Sequence, residues 1–136
     1  MSKNRTVFLV DDDTDDQDFF KSALQTIDNS AFLLSAFNGE HALEMINGGN
    51  VDPDIVFLDL NMPRLSGKQC LTLIKKMERL KDVPVIIFST TRQFHEAEET
   101  KKLGAALFLT KPSSYTELKN NLSLILSRSW NNIEME

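Results

Sequence analysis

Ile55-Val56-Phe57-Leu58-Asp59 sets four apolar residues in a row directly before a carboxylate. Unbroken runs rich in β-branched and aromatic residues read as strands covered on both faces, as in a parallel sheet. Similar runs lie on either side: Val7-Phe8-Leu9-Val10, Phe32-Leu33-Leu34, Val85-Ile86-Ile87-Phe88 and Ala106-Leu107-Phe108-Leu109. Strands are therefore predicted to end at 10 and to cover 32–36, 55–58, 84–88 and 106–109. Roughly 17–25 residues separate them, enough for a parallel crossover carrying a helix.

The gaps carry helix signals. Thr14-x-x-Gln17 has the form of a capping box, followed by Phe20, Ala23, Leu24 and Ile27 on one face. Asn38 is placed to cap a short helix bearing Ala42, Leu43 and Ile46. Ser66-x-x-Gln69 opens a third, with Cys70, Leu73, Ile74 and Met77 at helical spacing. Gly104 stops a fourth, and Ser114-x-x-Glu117 starts a fifth bearing Leu118, Leu122, Ile125 and Trp130. The expectation is a (βα)5 doubly wound α/β domain over residues 1–130, a five-stranded parallel sheet between helices, with a frayed tail at 131–136.

Composition narrows the function classes. The 136 residues carry a net charge of −5 and are 41% hydrophobic, as expected of a globular domain. The acidic balance argues against general nucleic-acid binding. Cys70 is the only cysteine, so no intrachain disulfide forms. No apolar run approaches the ~20 residues that span a bilayer, and the N-terminus lacks a secretory pattern. A cytoplasmic protein with no membrane contact is expected. Six carboxylates fall within Asp11–Asp18, and the other residues are together close to neutral. The negative charge thus belongs to one place.

In an open parallel sheet, ligands bind beyond the carboxyl ends of the strands, where strand order reverses. The first strand is followed by Asp11 and Asp12, the third by Asp59, the fourth by Ser89, Thr90 and Thr91, and the fifth by Thr110, Lys111 and Pro112. The second is followed by Phe37 and Asn38, with nothing ionisable. The order 2-1-3-4-5 explains this, with the second strand at an edge and the carboxylates at the switch point. Asp11, Asp12 and Asp59 form an oxygen-only set suited to Mg²⁺, Mn²⁺ or Ca²⁺. A metal, a lysine and a hydroxyl are the parts that stabilise a transferring phosphoryl group, and an Asp carboxylate can itself accept one. Asp13, Asp15, Asp16 and Asp18 are assigned to a solvated helix start, His41 and His95 to exposed helix faces, and Cys70 to the core.

These residues carry a family resemblance. Phe8-Leu9-Val10-Asp11-Asp12-Asp13, Val56 through Gly67, Val83 through Thr90, and Gly104 through Pro112 are similar to response-regulator receiver domains of two-component signalling, CheY-like proteins of the flavodoxin-like fold. The resemblance covers about Val7 to Leu126. It implies that Asp59 is the phosphoacceptor, and that Asp11, Asp12, Asp59 and the backbone carbonyl of Asn61 hold Mg²⁺, with Mn²⁺ as a substitute and Asp12 as a direct ligand. Ser89 would be the switch hydroxyl, Lys111 the phosphate-pairing cation and Phe108 the aromatic switch. Asn61 and Thr91 would tune self-dephosphorylation, and the Lys111–Pro112 bond would be cis. The long loop Met77-Glu78-Arg79-Leu80-Lys81-Asp82 resembles single-domain receivers paired with phytochrome-type kinases.

The implied role is a stand-alone receiver, not an enzyme beyond slow self-dephosphorylation, that takes its phosphoryl group from a sensor histidine kinase or histidine phosphotransfer protein. About ten residues follow the fifth helix, so no DNA-binding output domain is expected. A downstream protein partner would read the signal. A monomer or weak dimer would use the face of the fourth helix, fifth strand and fifth helix. The alternative from another class is a Mg²⁺-dependent phosphohydrolase with Asp59 as nucleophile. Such enzymes commonly carry a second Asp two residues on, where this chain has Asn61. A nucleotide carrier would need a Gly-rich loop after the first strand, and an EF-hand would need Glu at the position of Ser22.

Overall fold

The computed structural model describes residues 5–128 apart from Asn50 and Arg92. Strands β1 (Thr6–Val10), β2 (Phe32–Ala36), β3 (Ile55–Leu58), β4 (Val85–Ser89) and β5 (Leu107–Thr110) form one parallel sheet in the order β2-β1-β3-β4-β5. Helices α1 (Thr14–Ile27), α2 (Gly39–Asn47), α3 (Gly67–Lys76), α4 (Phe94–Lys102) and α5 (Tyr115–Ser127) fill the connections, with a short 3₁₀ turn at Glu78–Leu80 before β4. This is the expected doubly wound architecture. Trp130 and the expected tail at 131–136 lie outside the described residues.

Successive strand residues point to opposite faces, so each unbroken apolar run feeds two cores. Phe8, Val10, Val56, Leu58, Val85 and Ile87 pack with Ala42, Ile46, Cys70, Leu71 and Ile74 of α2 and α3. Val7, Leu9, Ile55, Phe57, Ile86 and Phe88 pack with Phe20, Leu24, Leu118 and Leu122 of α1 and α5. There Phe20, Phe57 and Phe88 meet edge to face, with centroids 5.0–6.2 Å apart. By contrast α4 buries only Thr100 fully, and Phe94 at its start is 76% exposed.

Several local expectations shift by one residue. The α1 N-cap is Asp13, whose side chain accepts the Asp16 amide at 3.0 Å, and not Thr14. Asp caps at least as well as Thr, and this start frees Gln17 to turn inward. In α3 the Ser66–Gln69 capping box forms as expected. Its buried stripe is Cys70, Leu71 and Ile74, however, while Leu73 is 39% exposed. Met77 already has extended backbone and caps the helix end. Asn38 and Ser114 cap α2 and α5 as expected. His95 is exposed, whereas His41 is half-buried and accepts the Phe37 amide at Nδ1, 3.4 Å away. Burial pushes the Cys70 thiol up to about 12, so it stays protonated and inert.

Candidate functional site

Two backbone hydrogen bonds set the site. Asp11 N–H donates to the Ala36 carbonyl and Asp59 N–H to the Val10 carbonyl, each at 3.0 Å. They continue the β1–β2 and β1–β3 ladders by one rung, so Asp11 and Asp59 emerge side by side at the switch point. Asp12 joins them from the exposed side, and carboxylate oxygens of the three lie within 4.8 Å of one another.

Lys111 reaches in from the end of β5, its own amide donating to the Ser89 carbonyl at 2.7 Å. Its Nζ lies 2.8 Å from Asp11 Oδ2, 2.7 Å from Asp16 Oδ2 and 3.8 Å from Asp59 Oδ2. The hydrogen bond is directed at Asp16. The contact with Asp11 is a close ion pair, and the Lys111 ammonium is the partner of the buried Asp11 Oδ2. Its other oxygen accepts the Asp13 amide at 2.9 Å. The Lys111 ammonium also stands 5.6 Å from the centre of the Phe88 ring.

Burial raises the Asp59 carboxyl from 3.8 to about 6, helped by the Asp11 and Asp12 charges and opposed by Lys111 and the Asn61 amide. Asp11 is raised chiefly by burial as well, with Lys111 and the Asp13 amide opposing. For Lys111, burial by itself favours the neutral amine, yet the carboxylates of Asp11, Asp16 and Asp59 outweigh it and hold the ammonium. Buried like charges of this kind call for a further cation. Three carboxylates whose oxygens lie within 4.8 Å of one another fit a hard divalent ion.

The other expected residues line the same rim. Ser89 is fully buried as the last residue of β4, and its Oγ accepts the Thr91 amide at 3.4 Å. Asn61 is exposed, and its amide donates weakly to Asp59 Oδ1 at 3.4 Å. Phe108 is half-buried on β5 and borders a cleft of about 230 Å³ with Ala97, Thr100 and Lys101 of α4. One expectation fails. No peptide bond among the described residues is cis, so Lys111–Pro112 is trans. Trans is the favoured isomer even before proline. With this bond trans, Ser114 caps α5.

Two site residues escaped the sequence reading. Asp16 pairs with Lys111, and buried Gln17 donates from Nε2 to the carbonyls of Asp11 (2.7 Å) and Ala36 (3.0 Å). Both follow once the helix is capped by Asp13, because its first turn then faces the strand ends. Gly67 is the other constrained position. A Cβ there would lie 2.3 Å from the Asp59 carbonyl oxygen and 2.5 Å from Leu60 Cα, so α3 starts against the backbone of the acidic residue itself.

Residues 7–123 match the response regulator receiver domain family, and the chain belongs to it. It is thus a receiver domain of two-component signalling, and the family supports a phosphoacceptor role and not the phosphohydrolase alternative. The phosphorylated cyanobacterial phytochrome response regulator RcpA has the same fold, with a TM-score of 0.83 and 24% identity over 90% of this chain and 91% of that one. The Mn²⁺-bound response regulator Rcp1 also gives 0.83, at 22% identity over 92% and 96%. The 3',5'-cyclic-nucleotide phosphodiesterase regA of Dictyostelium discoideum is 31% identical over 91% of this chain but only 16% of its own length. Across six curated relatives the chain spans 13% to 62% of their length. Among the described residues no helix is long and apolar enough to cross a membrane.

Proposed function

We propose that Asp59 accepts a phosphoryl group from a phosphohistidine on a sensor histidine kinase or histidine phosphotransfer protein. The carrying observation is a buried carboxylate set between two further acids and a lysine at the sheet's switch point. Asp11, Asp12, Asp59 and the Asn61 carbonyl would hold Mg²⁺, or Mn²⁺ in its place, as the Mn²⁺-bound Rcp1 relative supports. A divalent ion held there would neutralise the acids and supply charge stabilisation to the phosphoryl oxygens.

The Asp59 carboxylate oxygen attacks phosphorus as the P–N bond breaks, and the electron pair leaves with the imidazole nitrogen. Lys111 supplies a fixed cation to the transferred oxygens, and Ser89 donates its hydroxyl to one of them. Asn61 and Thr91, two residues past Asp59 and Ser89, tune the later hydrolysis of the acyl phosphate. The thinly packed α4 moves as Ser89 is drawn in, and Phe108 turns inward beside it, since elements that move come from the less stable end. The face of α4, β5 and α5 then meets a downstream protein or a second copy. The likeness to the phytochrome response regulator RcpA supports a phytochrome-type kinase as donor.

Incubation with acetyl phosphate and Mg²⁺ should add one phosphoryl group to the intact protein, and EDTA should prevent it. Asp12→Ala should remain folded, because Asp12 is exposed, yet show little uptake at millimolar Mg²⁺. Equal uptake with EDTA or in Asp12→Ala would overturn the metal assignment. No uptake under any condition would overturn the phosphoacceptor reading.

A further inference from the structure

The Lys111 ammonium faces three carboxylates and is held closely by two of them, Asp11 at 2.8 Å and Asp16 at 2.7 Å. It hydrogen-bonds Asp16 at 2.7 Å, while Asp59 stands off at 3.8 Å. Asp16 is no drifting surface group. Its own amide is held by the Asp13 cap at 3.0 Å. The next residue, Gln17, anchors the same helical turn to the Asp11 and Ala36 carbonyls. The Asp16 side chain is 38% exposed and that of Lys111 only 10%, so the pair sits where the site opens to solvent. A carboxylate placed only to favour a helix N-terminus needs no lysine partner.

From this we infer that Asp16 is a positioning residue. It holds the Lys111 ammonium toward α1 in the unmodified domain and yields it to the phosphoryl oxygens once Asp59 is modified. The inference rests on the reading of Asp59 as phosphoacceptor and adds what regulates that site. A phosphoryl group brings several charged oxygens within reach of Lys111 and competes with Asp16 for the same N–H donors. Asp16 thereby weakens the site's hold on a phosphoryl group. Removing its charge leaves Lys111 with Asp11 as its one close carboxylate partner, so a phosphoryl group has one fewer contact to displace when it recruits the ammonium.

The test uses beryllofluoride as a non-covalent phosphoryl mimic, titrated at fixed Mg²⁺ and followed by amide NMR. Asp16→Asn should bind it roughly fivefold more tightly than wild type, the size expected for a partly exposed charge pair. Asp16→Ser should behave the same way, and Asp16→Glu should retain wild-type affinity. The Lys111 ammonium resonance gives a readout that a merely structural role would not move. Without ligand it should differ between wild type and Asp16→Asn, and with ligand the two should coincide. Equal or weaker binding by both Asp16→Asn and Asp16→Ser, or an unliganded Lys111 signal indifferent to Asp16, would overturn the inference. A wild type blind to beryllofluoride, or an Asp59→Asn variant that still responds, would instead overturn the phosphoacceptor reading beneath it.

Discussion

Asp59→Asn should be more stable than the wild type by about 3 kcal/mol at pH 7 in metal-free buffer, at 1.36 kcal/mol per pKa unit. The folded chain raises the Asp59 carboxyl from 3.8 to about 6. Below 3.8 both folded and unfolded chains keep the proton, and folding carries no penalty from this group. Between 3.8 and about 6 the folded chain still holds a proton that the unfolded chain has lost, so stability falls as pH rises. Above about 6 the whole penalty is present. Asparagine never ionises and escapes it, while Lys111 keeps Asp11 and Asp16 as partners. Urea unfolding at pH 7 and near pH 4 measures the effect. The gap between the two proteins should be large at pH 7 and nearly vanish at pH 4. A variant less stable than wild type at pH 7, or a gap independent of pH, would contradict the assigned electrostatics. A divalent ion that binds only the folded site should narrow the gap by stabilising the wild type.

Gly67→Ala should cost roughly 3 kcal/mol of stability, the upper end for overpacking, and should impair the site as well. The added methyl would meet the Asp59 carbonyl oxygen at 2.3 Å and Leu60 Cα at 2.5 Å. Both are backbone atoms, so no side-chain rotation relieves the clash. Either α3 backs away, opening the layer around Cys70, Leu71 and Ile74, or the strand end carrying Asp59 shifts away from Asp11. Gly49→Ala is the contrast. A Cβ there meets nothing within 4 Å, and only the φ of +77° opposes it, so the loss should be near 1 kcal/mol. Urea midpoints of the two variants decide the matter. Equal small losses would show that the Gly67 contact is easily relieved.

The fold was legible because unbroken apolar runs arise where a strand feeds two cores. Val56 and Leu58 face one side of the sheet and Ile55 and Phe57 the other, as the continuous run Ile55–Leu58 requires. The site was legible for the same reason, since chemistry in such a sheet collects at strand ends. Asp11, Asp12, Asp59 and Lys111 converge there. What sequence reading missed depends on phase and on competition between neighbours. With α1 capped by Asp13, Asp16 and Gln17 turn toward the site, and their roles cannot be seen from residue type. Leu71 and not Leu73 joins Cys70 and Ile74 in the core because residues two apart lie about 200° apart on a helix and α3 turns the Leu71 side inward.

The central claim is that a single carboxylate, Asp59, carries the phosphoryl group. Borohydride reduction of protein treated with acetyl phosphate and Mg²⁺ converts an aspartyl phosphate to homoserine, and peptide sequencing by mass spectrometry then reads its position. The account predicts homoserine at position 59 and none at 11, 12, 13 or 16. Homoserine at any of those four positions, or a phosphorylated protein with an unaltered Asp59, would contradict it.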